Sequence, residues 1–168
     1  RLTQLTHLYL DTNSMSGTVP ARLARLTQLT HLYLSYNSLS GTFPVELSIL
    51  TQLTQLALGQ NRFSGTLPYG LSPSLQLLML HSNHLSGSLP GFKNHNSLNA
   101  LTLFGNNIGG RLQLPQHAPN LKVLVVHRNR LSCPVEYNSS SYSLSVQVSV
   151  LDNYKTGALI APGNHLSA

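Results

Sequence analysis

Apolar and polar positions alternate in short stretches along this chain, and the stretches recur at a nearly fixed interval. Each stretch follows the pattern L-x-x-L-x-L-x-x-N, whose x-L-x-L-x centre has the period of a short strand with one buried face. A repeat of 22 to 24 residues predicts a solenoid of stacked turns with a parallel sheet, in which each turn buries its apolar face against its neighbours. The repeated asparagines are Asn13, Asn37, Asn61, Asn83, Asn106 and Asn129.

The leucines of each stretch are predicted to face the core. They are Leu8 and Leu10, Leu32 and Leu34, Leu56 and Leu58, Leu78 and Leu80, Leu101 and Leu103, and Leu124 with Val126. The asparagine that follows them stands where the chain must turn out of the sheet. Its amide can donate to and accept from backbone groups that the turn leaves unpaired, so the six asparagines are predicted to form a structural ladder rather than ligand contacts.

A second motif follows four of the asparagines, as MSGTVP (15–20), LSGTFP (39–44), FSGTLP (63–68) and LSGSLP (85–90). Glycine allows a backbone conformation that other residues avoid, and the residues after it read as a second short extended segment. Proline then ends the segment and suits the first position of a helical turn. Each repeat is therefore predicted to contain two extended segments, and stretches 20–26 and 44–50 to form turns with inward leucines.

This combined pattern, N-x-L-S-G-x-L/I-P, resembles the plant-type leucine-rich-repeat family. The resemblance implies an α/β-type repeat solenoid, a curved stack with a concave parallel β-sheet, 3₁₀ or short helical turns on the convex side, and an extra strand along one flank. Members include receptor-kinase ectodomains and polygalacturonase-inhibiting proteins. They usually bind proteins, peptides or glycans outside the cell, so the resemblance also implies an extracellular or cell-surface location.

The repeat decays towards the end of the chain. Residues 1–134 are interpreted as six repeats and 135–168 as a polar insert with one degenerate or truncated repeat, the whole being a segment of a longer protein. Segment 141–151 alternates like a longer strand. The next ladder position is then either Asn153 or Asn164, and Asn164 is favoured because Leu159, Ala161 and Leu166 share the repeat's spacing.

The variable positions of the predicted strands form columns on one face, because each repeat sets them about one strand spacing from the last. Tyrosine, phenylalanine, methionine and arginine are enriched at binding surfaces. The predicted contact surface therefore consists of Tyr9, Tyr33, Tyr36, Met79, Phe104, His127 and Arg128. The alternative is that these side chains only decorate an exposed sheet or touch flanking repeats of a longer chain.

A threonine column offers a different hypothesis. Thr6, Thr30 and Thr54 occupy one edge before Gln76, Asn99 and Lys122 take over. Regular threonines on a flat sheet suggest an ice-binding surface, and some plant-type repeat proteins interact with ice. Duplication of one repeat also explains the column.

Composition narrows the function classes further. Only 8% of the residues are charged, against about a quarter in ordinary domains, so the surface is hydrogen-bonding rather than ionic. The formal charge of +6 comes from scattered basic residues, and only Lys122, Arg128 and Arg130 cluster, which argues against a nucleic-acid site. No apolar run is long enough to span a membrane.

The sequence offers no candidate catalytic residues and no candidate metal ligands. The four carboxylates share no position in neighbouring repeats, so no acid–base pair is indicated. His81 and His84 straddle Asn83 and are predicted to diverge, and no cofactor motif is present. Cys133 replaces a repeat glycine and is interpreted as a small buried residue, a partner for a cysteine elsewhere, or a reactive thiol. Asn138 begins a possible glycosylation sequon.

The leading hypothesis is a non-catalytic module that recognises a protein, peptide or glycan through the concave face. The alternatives are a structural scaffold segment within a larger assembly and an ice-binding surface. The expected partners also include flanking parts of the same longer chain, and exclude nucleic acid.

Overall fold

The computed structural model describes residues 2–90, 92, 94–113, 120–136 and 147–149. Two parallel β-sheets run the length of this solenoid, and their strands are numbered in chain order. The seven-stranded sheet, here the main sheet, takes one strand of three residues from each repeat. Its strands are β1 (His7–Tyr9), β3 (His31–Tyr33), β5 (Gln55–Ala57), β7 (Leu77–Met79), β9 (Ala100–Thr102), β11 (Val123–Val125) and β13 (Gln147–Ser149).

The six-stranded sheet, here the flank sheet, is built by the second motif of each repeat. Its strands pair in parallel, so that each is placed against the equivalent segment of the next repeat. They are β2 (Ser16–Gly17), β4 (Ser38–Thr42), β6 (Arg62–Gly65), β8 (His84–Ser88), β10 (Asn107–Gln113) and β12 (Arg130–Glu136). The extra strand along one flank is therefore confirmed.

Two short 3₁₀ helices connect a flank strand to the next main-sheet strand, over Ala21–Arg25 between β2 and β3 and over Val45–Ile49 between β4 and β5. Pro20 and Pro44 precede them with extended backbone, because a proline ends the flank strand and suits the entry to a helical turn. Within the described ranges these are the only helices, and neither is long and apolar enough to cross a membrane.

The core lies between the two sheets and the 3₁₀ side. The inward leucines of β3, β5, β7 and β9 are fully buried, as are those that follow each strand. Leu8 and Leu10 are only partly buried because β1 is an edge strand with a single neighbour, β3. Phe43, Phe63 and Phe92 are the largest fully buried side chains of the same core. Burial of a side chain of this kind contributes about 1.5–3 kcal/mol.

These features confirm the predicted repeat solenoid, including its parallel sheet and its short 3₁₀ turns. Strand β13 pairs with β11 so that Val148 lies opposite Leu124, one full repeat of 24 residues later. Residues 153 and 164, the two candidates for the next ladder position, lie outside the described residues, as does the sequon at Asn138.

Candidate binding face

The ladder asparagines hold the binding face in register, because each ties its own turn to the turn before it. In Asn37, Asn61, Asn83, Asn106 and Asn129 the side-chain Oδ1 accepts a backbone N–H of the preceding repeat at 2.9–3.1 Å. The Nδ2 group donates to a leucine carbonyl of that same preceding repeat at 2.9–3.0 Å. Asn13 is exposed, and its Nδ2 donates only within its own turn, to Leu10 and Asp11. The ladder is thus a set of buried links between repeats.

The residue before each ladder asparagine has a left-handed backbone. Thr12, Tyr36, Gln60, Ser82 and Arg128 have φ values of 52° to 56°. Such a conformation costs a residue with a Cβ roughly 1–2 kcal/mol. The asparagine links and the two sheets on either side outweigh this cost, and the turn places Tyr36 and Arg128 at the margin of the main sheet. Both side chains are exposed.

Four rings form one cluster at the first two repeats, here the histidine–tyrosine cluster. The rings of His7 and His31 stack with centroids 4.3 Å apart and planes inclined by 17°. The rings of Tyr9 and Tyr33 lie 4.8 Å apart, and Tyr9 meets His31 edge-on. The Tyr33 hydroxyl donates to the side-chain oxygen of Gln55. Adjacent strands in direct register bring these pairs together, since His7 lies opposite His31 and Tyr9 opposite Tyr33.

Three rings form a second group across repeats four to six, here the stacked column. His81 stacks on Phe104 at 4.7 Å, and Phe104 stacks on His127 at 4.9 Å, with all planes within 14° of parallel. Offset stacking of this kind adds about 0.5–1.5 kcal/mol per aromatic pair beyond burial. Tyr36 approaches the first ring of the column edge-on, at 6.5 Å from His81.

Gly59 makes room for the stacked column. A Cβ at this position would lie 2.4 Å from the His81 ring, so any other residue would push the ring away. His81 therefore covers the backbone of the previous repeat and is only 6% exposed, although it stands on the outer face of the sheet. The first ring of the stacked column, His81, therefore packs directly against the backbone at Gly59.

Small and apolar side chains lie between the two ring groups. Met79 stands in register with Ala57 on one side and Thr102 on the other. Ala57 is buried, whereas Met79 and Thr102 are half-buried. This arrangement leaves an apolar floor beside the stacked column, and Tyr33 stands in register with Ala57 at one end of the floor.

Burial shifts the pKa of three rings on this face towards their uncharged forms. Burial lowers the pKa of His31 from 6.5, and the neighbouring His7 lowers it further. Burial alone lowers the pKa of His81. Burial raises the pKa of the Tyr33 hydroxyl above 10.0, with smaller effects from Tyr9 and Asp11 in the same direction.

A leucine-rich-repeat family model matches residues 2–63. The crystal structure of the ectodomain of the receptor kinase SOBIR1 from Arabidopsis thaliana matches with 32% identity and a TM-score of 0.67, over 76% of this chain and 72% of that one. The chain belongs to the plant-type leucine-rich-repeat family. No curated protein sequence matches this leucine-rich-repeat chain.

Two further structures are similar to the leucine-rich-repeat chain. The plant peptide hormone receptor RGFR1, solved in complex with RGF2, shares 35% identity at a TM-score of 0.70, over 77% of this chain and 21% of that one. A plant ice-binding protein shares 30% identity at a TM-score of 0.70, over 90% of this chain and 49% of that one. The chain thus spans about a fifth of the hormone receptor and half of the ice-binding protein.

The leucine-rich-repeat scaffold brings most of the predicted contact residues together. Tyr9 and Tyr33 touch each other, Phe104 touches His127, and Tyr36 reaches the stacked column. Arg128 lies at the margin, one residue beyond His127, in the turn described above. The prediction omitted His7, His31 and His81, although their positions in the aligned columns were the signal that could have included them.

In the column of Thr6, Thr30 and Thr54, the hydroxyls of Thr30 and Thr54 are hydrogen-bonded to backbone carbonyls of the preceding repeat. The Thr30 hydroxyl donates to the Thr6 carbonyl at 2.9 Å, and the Thr54 hydroxyl donates to the Thr30 carbonyl at 3.1 Å. These protons are therefore not available to an ordered water layer. By contrast, Thr18, Thr42 and Thr66 form an exposed column at the ends of flank strands β2, β4 and β6, which the sequence reasoning missed.

In the described ranges, no group of three or more His, Cys, Asp or Glu side chains is placed to hold a metal ion. His81 lies in the stacked column, whereas His84 is exposed on flank strand β8. The backbone of Cys133 is part of β12.

Proposed function

We propose that this chain is a non-catalytic, extracellular binding module that recognises a protein or peptide across the outer face of its main sheet. The observation that carries the proposal is the pair of ring groups flanking an apolar floor. Tyr9 and Tyr36 are each more than half exposed, and such an accumulation of large rings on one face is typical of interaction surfaces. The likeness to a peptide hormone receptor and to a receptor-kinase ectodomain supports the same conclusion.

Rigidity of the two ring groups favours recognition. The stacked column is fixed by Gly59 beneath His81, and Tyr33 is held by its hydrogen bond to Gln55. Side chains that are already ordered lose less conformational entropy when a partner binds. An extended segment running across the strands would contact the histidine–tyrosine cluster, the apolar floor and the stacked column in turn.

The experiment is selection of peptides from a displayed random library, followed by measurement of Kd for a selected peptide. The Tyr33→Ala, Phe104→Ala double variant is expected to weaken binding by at least tenfold, because central aromatic anchors commonly contribute 2 kcal/mol or more. Tyr69→Ala is the control, since Tyr69 is 80% exposed and lies outside the main sheet. Unchanged affinity in the double variant, with a native circular dichroism spectrum, would refute the proposed face.

Ice binding is a second candidate, favoured by the likeness to a plant ice-binding protein and by the exposed column of Thr18, Thr42 and Thr66. The low charged fraction of 8% suits such a surface. Purified protein is expected to restrain ice-crystal growth, and Thr42→Lys to abolish the effect. Crystals that grow as they do in buffer would eliminate this candidate.

A further inference from the structure

A carboxylate stands beside the histidine–tyrosine cluster, and the two together suit a cationic side chain. We propose that the rings of Tyr9 and Tyr33 and the carboxylate of Asp11 form a subsite for an arginine side chain of the bound peptide. The inference rests on the proposed peptide-binding function, which it extends by naming one residue that the partner supplies.

Asp11 shares the outer face with Tyr9 because the pairing of the first two repeats continues beyond β1. The Thr12 N–H donates to the Ser35 carbonyl at 2.9 Å, which keeps the chain in parallel register as far as this turn. Side chains two residues apart in such a segment point to the same face, about 7 Å from each other. The Asp11 carboxylate is also close enough to the Tyr33 hydroxyl to contribute to the raised pKa of that hydroxyl.

Asp11 is the only charged residue on the main sheet or in the turns that follow its strands, among the described residues from 2 to 110. The other charged residues of that range lie in other elements: Arg22 and Arg25 in the first 3₁₀ helix, Glu46 in the second, and Arg62 in flank strand β6. The exposed Asp11 carboxylate accepts one long hydrogen bond, from the Thr12 hydroxyl at 3.5 Å, and forms no ion pair with any described residue. This end of the face therefore favours a cationic partner, although the whole chain has a formal charge of +6.

The two tyrosine rings supply the wall against which a guanidinium can lie. The ring centroids of Tyr9 and Tyr33 are 4.8 Å apart with planes inclined by 49°, and Tyr9 is 54% exposed. A guanidinium is attracted to the face of such a ring within about 6 Å of its centroid. Its planar fork can at the same time donate two parallel hydrogen bonds to the Asp11 carboxylate, which the ammonium group of lysine does not offer. Burial lowers the pKa of His31, the imidazole in ring contact with both tyrosines, so that ring does not repel the cation at pH 7.5.

Two defined pentapeptides test the subsite without a prior selection. They are acetylated and amidated Gly-Gly-Arg-Gly-Gly and the same peptide with citrulline, which has the shape of arginine without its charge. Titration at pH 7.5 and low ionic strength, followed by the NMR signals of the aromatic rings, is expected to show about 3- to 30-fold tighter binding of the arginine peptide.

Three variants identify the groups responsible for this preference. Asp11→Asn keeps the shape of the side chain and is expected to reduce the preference by about two- to fivefold. Tyr9→Leu keeps an apolar side chain without the ring and is expected to reduce it by a similar factor. Glu46→Gln removes a carboxylate in the second 3₁₀ helix, and as the matched control it is expected to leave the preference unchanged.

Equal affinity for the two peptides, or no measurable binding of the arginine peptide, would overturn the subsite. A preference that survives in both Asp11→Asn and Tyr9→Leu, or that falls equally in Glu46→Gln, would do the same. Failure of the proposed function is distinguishable from these results. A library-selected peptide that is lost in the Tyr33→Ala, Phe104→Ala variant but shows no arginine preference would support the binding face and reject the subsite. An arginine preference without any selected peptide would have the reverse meaning.

Discussion

Replacing Asn61 by alanine should uncouple two repeats at the centre of the solenoid. Asn61 is buried, with 8% of its surface exposed, and its amide connects the third repeat to the second. Oδ1 accepts the backbone N–H of Leu39 at 2.9 Å, and Nδ2 donates to the carbonyl of Leu34 at 2.9 Å. Two longer bonds, at 3.2 and 3.3 Å, reach the carbonyls of Leu58 and Gly59 in its own turn.

The loss of unfolding free energy in Asn61→Ala can be estimated from the backbone groups that lose their hydrogen-bond partners. Leu39 is 3% exposed, so its N–H would be left without a hydrogen bond in the core, at a cost of about 1–3 kcal/mol. Loss of the bond to the Leu34 carbonyl adds about 1 kcal/mol. The alanine variant should therefore lose roughly 2–4 kcal/mol of unfolding free energy, which is a large part of the 5–15 kcal/mol typical of a whole domain.

Asn13 provides the matched control in the same chain. It occupies the same motif position, but it is exposed and its side chain bonds only to the carbonyls of Leu10 and Asp11 in its own turn. Asn13→Ala should therefore lower the unfolding free energy by less than about 1 kcal/mol. Urea unfolding followed by circular dichroism gives both values from the shift in midpoint, provided that the slope of the transition is unchanged.

If Asn61→Ala and Asn13→Ala destabilise the protein equally, the links between repeats are not what makes the ladder stabilising. A lower slope in Asn61→Ala alone would instead support the argument, because repeat arrays lose cooperativity when one interface weakens.

Two further predictions concern the flank sheet and acid. Gly41→Ala should lower the unfolding free energy by about 1–3 kcal/mol more than Gly17→Ala, the usual range for overpacking. Its Cβ would lie 2.8 Å from the methyl carbon of Thr18, whereas Gly17 has open space at a similar φ. Equal urea midpoints for the two variants would contradict this prediction. Unfolding free energy should fall as pH drops below 6.5, because burial lowers the pKa of His81 and His95 and the unfolded chain then binds protons that the folded chain does not. Each histidine gives a slope of at most about 1.4 kcal/mol per pH unit, and a flat profile from pH 7.5 to 5 would exclude the effect.

Most of the fold was predictable because one pattern is repeated. The spacing of leucines, asparagines and the Gly–Pro motif specifies where each strand begins and which residues face the core. Where the pattern degenerates, the sequence is less informative, as in the choice between Asn153 and Asn164. Two frames fit the apolar residues there, so the spacing alone does not distinguish them.

The candidate site was less predictable because side-chain direction is not contained in the spacing. Alignment of the repeats places His81 and Phe104 in one column, yet it does not show that the His81 ring lies over Gly59. Likewise, the residue before each asparagine is left-handed, but Tyr36 is a residue type that disfavours that conformation. Tertiary links impose both features, so local preference could not reveal them.

The asparagine ladder gives the molecule a direction. Each amide completes the turn that precedes it, so the backbone N–H of Leu39 obtains its partner only when Asn61, 22 residues later, has been added. During synthesis a ribosome releases the repeats in that same order. Each new repeat therefore supplies the hydrogen-bond partners of the repeat before it. The repeat synthesised last still lacks the asparagine that will accept its own backbone N–H.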